Sequence, residues 1–143
     1  LIVWRLCRRP YADLSGEGAA RYGGRWNSPG NRVVYTTSSA ALAVLEVRVH
    51  LDLPFDLLPE DYVLVAIDLG ALEVETVQTD VSDPRAFGDA WIKQARTPVL
   101  QVPSVIVPET NFLLNPSHQA ASLAKIADIR PFGFDPRLWR GSA

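Results

Sequence analysis

The stretch from Gly23 to Glu46 restricts the fold more than any other, because it sets a glycine turn, a strand and a capped helix directly one after another. Gly23-Gly24 permits a sharp turn or a close backbone approach, and Arg25 and Trp26 are expected to be displayed there. Pro29-Gly30 turns the chain again. Val33-Val34-Tyr35-Thr36 is β-branched and aromatic and reads as a strand. Ser38 or Ser39 then stands where a hydroxyl caps a helix running from Ala40 to Leu51.

In that helix Leu42, Leu45, Glu46 and Val49 share one face, and Val44, Val47 and Leu51 form a second apolar side. Glu46 therefore lies inside an apolar stripe, where a carboxylate is costly unless something pairs with it. Spacing leaves two readings open. One is a structural ion pair with His50 a turn further on, or a half-exposed edge of the stripe; the other is a carboxylate kept for chemistry.

Outside this stretch the sequence reads as mixed α and β. Ile2-Val3-Trp4-Arg5-Leu6 is strand-like, with Arg5 either paired with an anion or in water at a sheet edge. A polar loop from Tyr11 to Tyr22 is expected to be a mobile surface segment. Tyr62 to Leu69 is nearly continuous in apolar residues and predicts a central strand, with an alternating neighbour from Leu72 to Val77. Pro84 opens a helix to about Arg96. Val99–Val102 and Ser104–Val107 read as two extended pieces separated by Pro103, Asn111–Asn115 as another, and Ile126–Phe132 as a last strand after a short helix from Ser117 to Ala124. A serine after a proline break is most often a turn hydroxyl bonded to backbone, which is the ordinary reading of Ser104. Strands do not alternate regularly with helices, which argues against a doubly wound parallel sheet.

Composition narrows the function classes. A length of 143 residues suits a single domain spanning 1–143. The 48% hydrophobic and 21% charged shares are those of a globular protein, and no apolar run approaches the roughly 18 residues of a membrane span. A net charge of -2 argues against direct nucleic-acid binding. Cys7 is the lone cysteine, so no internal disulfide and no cysteine metal cluster is expected, and His50 and His118 are too few for a zinc site. No signal peptide is read at the start, and a cytoplasmic setting is the expectation. Neither a phosphate-binding glycine loop nor a serine-hydrolase elbow is present in the sequence.

Taken together, Trp4-Arg5-Leu6, Gly23-Gly24-Arg25-Trp26-Asn27, Val33-Val34-Tyr35-Thr36, Leu45-Glu46-Val47, Pro103-Ser104 and the run from Glu109 to Pro116 with His118 resemble the RES-domain toxins, the toxic halves of bacterial RES-Xre type II toxin-antitoxin pairs. The Gly-Gly-Arg-Trp-Asn, Tyr, Glu series at this spacing is the specific part. The resemblance implies an α+β, ADP-ribosyltransferase-like fold with two small β-sheets around an NAD-binding cleft and flanking helices. It further implies that NAD+ is consumed as substrate, with no other cofactor and no metal, by hydrolysis or phosphorolysis or by transfer of ADP-ribose to a protein. A catalytically silent nucleotide-binding module is the reading from another class, and the joint presence of five polar residues speaks against it. The implied partner is a cognate Xre-type antitoxin covering the cleft of an oligomeric complex.

Carried over residue by residue, the family's polar set falls on Arg5, Arg25, Tyr35, Glu46 and Ser104. The chemistry suits them. Cleaving the nicotinamide-ribose bond builds positive charge on the sugar, and a fixed carboxylate, Glu46, favours that transition state. Arg5 and Arg25 have the fork shape that holds a pyrophosphate, although Arg25 could instead pair with Glu46. Tyr35 offers a flat face for nicotinamide, and Ser104 a hydrogen bond to its amide or to the ribose.

Overall fold

A computed structural model of the chain describes residues 1–78 and 80–140. Seven strands form one sheet: β1 Ile2–Arg8, β2 Val34–Thr37, β3 Tyr62–Asp68, β4 Val74–Thr76, β5 Val99–Pro103, β6 Thr110–Leu114 and β7 Lys125–Pro131. Their order is β4-β5-β6-β2-β1-β3-β7, antiparallel throughout except for the parallel β4-β5 edge pair. Among the described residues three α-helices accompany it: α1 Glu17–Tyr22, α2 Ala40–His50 and α3 Pro84–Gln94.

The expectation of two separate small sheets is corrected, because hydrogen bonding is continuous from β4 to β7. The join between the halves is nevertheless a single register pair, Trp4 with Thr37. Two residues past Thr37 the chain reaches Ser39, whose hydroxyl accepts from the Leu42 amide and caps α2. β2 meanwhile pairs along its whole length with β6. The turn into α2 ends the ladder to β1 in one direction, and in the other the strands part at the residues from Arg5 and Thr36 onward that line a cleft.

Period-two alternation sorts the core. One face of the sheet buries Val3, Val34, Val63, Val65, Ile67, Val99, Phe112 and Leu114, covered by loop residues such as Ala12, Leu14, Leu72 and Ala121. The opposite face is divided. Leu100, Val102 and Leu113 pack with Trp91 of α3, and Leu6 and Tyr62 pack with Ala43, Val44 and Val47 of α2. Phe134 and Trp139 of the C-terminal segment close this second cluster, with the Arg48 guanidinium 4.0 Å above the Trp139 ring.

Several local expectations change. The segment expected as a loop up to Tyr22 contains α1, whose start at Gly16 (φ 69°) lies so close to Val33 that a Cβ there would meet its amide nitrogen at 2.8 Å. Residues 104–107 form no strand, because the Ser104 hydroxyl accepts from the Ile106 amide and Glu109 N–H donates to the Val107 carbonyl. The expected helix from Ser117 is reduced to a 3-10 turn at Ala121–Leu123.

Candidate active site

A cleft of about 810 Å³ opens where the halves of the sheet part, lined by Trp4 to Cys7 of β1 and Tyr35 to Thr37 of β2. Ala43, Glu46, Val47 and His50, spaced as one helix face, form the α2 wall. The Gly23–Trp26 turn and Arg85 of α3 lie opposite. A smaller cavity of about 320 Å³ adjoins it and shares Arg25, Trp26, Pro103 and Val105 with it.

Glu46 is half-buried and held by one oxygen. Its Oε1 accepts from Ser104 Oγ at 2.9 Å and from Asn111 Nδ2 at 3.0 Å. The predicted alternatives, an ion pair with His50 or with Arg25, do not occur among the described residues. Ser104 lines the smaller cavity rather than the cleft. Its hydroxyl both bonds backbone, as a turn serine does, and donates to the carboxylate.

Tyr35 is fixed at its tip. The hydroxyl donates to Asn27 Oδ1 at 2.6 Å and accepts from the Trp26 amide at 3.0 Å. Burial pushes the phenol up to about 12, so the group is a neutral donor over the physiological range. Gly24 is what admits it: a Cβ there would stand 2.6 Å from the Tyr35 oxygen. Asn27 is fully buried, and its amide nitrogen reaches the Ala19 and Asn31 carbonyls, so it ties the turn to α1.

The turn is gripped from the other side by α3. Gly88 lets the Trp26 carbonyl approach so closely that a Cβ would lie 1.7 Å from it. Asp89 accepts from the Ser28 amide and hydroxyl and from Asn31 Nδ2. Burial pushes the Asp89 carboxyl up, but these bonds outweigh it and hold the group below the ordinary carboxylate range. One turn earlier, Arg85 donates to the Gly24 carbonyl through Nε and Nη2. Trp26, expected at the surface, is accordingly core, 5% exposed and edge-on to Phe87. Arg25 beside it is exposed, as expected.

Arg5 lies on an interior strand, which removes the edge-strand reading. Its Nη1 donates to the Tyr11 and Asp13 carbonyls at 2.8 and 2.9 Å, so backbone oxygens hold a guanidinium that is only half-buried. Of the five residues the sequence reading grouped, the structure gathers Arg5, Arg25, Tyr35 and Glu46 around one cleft, whereas Ser104, expected to meet the substrate there, lines the adjoining cavity and bonds Glu46 instead. The sequence reading did not single out Arg85 or Asn111, and the only hint for Asn27 and Asn111 was their place in the quoted motifs.

The fold and this cleft define a class. Residues 2–135 match the RES domain, and the chain belongs to that family. Among its relatives, the Prs ADP-ribosylating toxin of Sphingobium sp. (strain YBL2) is 42% identical, the alignment covering 96% of each chain. A protein named Toxin Res from Pseudomonas putida is 37% identical over 97% of this chain and all of its own length. A third, also named Toxin Res, from Photorhabdus laumondii, is 37% identical. In solved structures, a chain from the M. tuberculosis MbcT-MbcA toxin-antitoxin complex superposes with a TM-score of 0.75 over 96% of this chain and 86% of that one, and at 22% identity this likeness shows the fold.

Proposed function

We propose that this protein is the toxin of a toxin-antitoxin pair, that its fold is related to ADP-ribosyltransferases, and that it stops growth by cleaving the nicotinamide-ribose bond of NAD+. The observation that carries the reading is Glu46, a carboxylate fixed by Ser104 and Asn111 on the wall of a cleft that also collects Tyr35, Arg5, Arg25 and Arg85. As neutral nicotinamide leaves, the bonding electrons go with it and positive charge gathers on the sugar. A carboxylate held in place meets that charge without reorganising. The guanidinium groups suit the pyrophosphate, and the rigid Tyr35 ring suits the flat base. Water or phosphate completes the reaction as acceptor.

A second acceptor is favoured by one observation, the Sphingobium relative named an ADP-ribosylating toxin at 42% identity. In that reading a protein side chain receives the ADP-ribose in the same cleft. Incubating purified protein with NAD+, with and without phosphate and with and without cell extract, separates the outcomes as free ADP-ribose, a phosphorylated sugar or a labelled protein band. An unchanged NAD+ pool in every arm overturns the proposal. The partner is proposed to be an Xre-type antitoxin that covers the cleft, consistent with the toxin-antitoxin complex of the structural neighbour. A fully active complex would show that inhibition does not work by occlusion.

A further inference from the structure

Asn111 is the polar residue in contact with Glu46 that neither composition nor spacing marked. It sits on β6 between two strands, in register with Val102 of β5 and Thr37 of β2, so its backbone is among the best braced in the sheet. Its Nδ2 donates to Glu46 Oε1, the same oxygen that takes the Ser104 hydroxyl. The amide orientation is dictated by this contact, since a carboxylate needs a donor. The cost falls on the other end: Asn111 Oδ1 is buried and has no donor among the described residues. A side chain chosen only to complete a buried polar network would not leave one of its atoms unsatisfied. The arrangement is explained if the amide is there for the carboxylate.

We infer that Asn111 is a positioning residue, which with Ser104 clamps Glu46 by Oε1 alone and so presents Oε2 to the ribose of the substrate. This rests on the NAD+ reading given above. Asn111 stands near the start of β6 and Ser104 directly follows β5, and both reach across to α2. Two bonds to one oxygen fix the carboxylate plane while Oε2 keeps its lone pairs, with no protein donor to it among the described residues. The negative charge is then held at one place before the sugar cation forms.

The test compares Asn111→Ala with Asn111→Asp. For a packing role the isosteric Asp is the milder change. For a clamp it is the harsher, because an ionised second carboxylate beside Glu46 has no proton to donate to Oε1 and repels it out of place. NAD+ turnover is expected to fall about tenfold in Asn111→Ala and about a hundredfold or more in Asn111→Asp, with KM for NAD+ within about threefold of wild type. Asn111→Asp turning over as fast as Asn111→Ala, or faster, overturns the clamp. Should the wild-type protein consume no NAD+, the functional reading fails separately, and crystal structures of the wild-type and Asn111→Asp proteins decide the clamp. A Glu46 carboxylate displaced by about 1 Å or more in the variant supports it. One that stays in place overturns it.

Discussion

Replacing Glu46 by Gln separates charge from shape at the centre of the cleft. The amide keeps an oxygen for Ser104 and Asn111, so both donors remain satisfied when its carbonyl takes the place of Oε1. Hydrogen bonds to a charged acceptor are worth about 1.5–3 kcal/mol each against about 1 for neutral ones, so up to a few kcal/mol of attraction is lost. Against this, the half-buried carboxylate no longer has to be desolvated, which returns a comparable amount. The net change in stability is expected within about 1 kcal/mol, or about 3–4 °C in Tm for a domain of this size. Turnover behaves differently, because an electrostatic group aimed at developing charge is worth about 2.7–4 kcal/mol, a factor of about a hundred to a thousand. The assay is NAD+ loss at saturating substrate, read beside thermal melting of the same preparation. A Glu46→Gln protein that melts like wild type and consumes NAD+ at the wild-type rate refutes the electrostatic assignment.

Other perturbations test the supports of the site. Gly24→Ala pushes a methyl into the Tyr35 hydroxyl and is expected to lower NAD+ turnover at least about tenfold with little loss of secondary structure by circular dichroism. Gly88→Ala drives a Cβ into the Trp26 carbonyl and is expected to cost about 3 kcal/mol or more, read as a fall in Tm, since backbone rather than a flexible side chain must move. Tyr35 has a folded-state value of about 12 against an ordinary 10, so its neutral hydroxyl stabilises the fold fully below pH 10 and loses that contribution as pH rises from about 10 to 12. Denaturant titrations across that window should fall less steeply for Tyr35→Phe. Asp89, held low, contributes above the ordinary value of 3.8 and loses its contribution as pH falls below it. Asp89→Asn is expected to cost about 1–3 kcal/mol at pH 7, with the gap to wild type narrowing in acid.

Elements written in local pattern were readable from the chain. β3 announces itself by a nearly unbroken apolar run, and α2 by a serine cap followed by apolar residues at helical spacing. α1 was not, because a six-residue stretch broken by Gly18 is too short to hold a helix by itself, whatever the propensity of its alanines. It is held from outside by the Asn27 amide on the Ala19 carbonyl and by the Gly30 amide on the Ala20 carbonyl. The same holds in the cleft. Tyr35 and Glu46 belong to a compact motif, whereas Arg85 meets Gly24 across 61 positions and Asn111 meets Glu46 across 65. Contacts of that separation follow from sheet order, and sheet order has no signature in the spacing of residues. Trp26 was misjudged for a related reason: a turn displays its side chains only when nothing packs on it, and Gly88 supplies a surface with no Cβ to keep the turn away.

The single Trp4-Thr37 pair has a mechanical side. A sheet of this size usually resists bending through several parallel rungs, but here the two plates meet at one residue from each strand. Relative tilt of the plates strains that rung and leaves the long ladders of β1 with β3 and of β2 with β6 intact. α2 is packed on the β1-β3 plate, while Ser104 and Asn111 belong to the β5-β6 plate, so the bonds from those two residues to Glu46 span the seam. The carboxylate therefore acts as a second fastener across the mouth of the cleft.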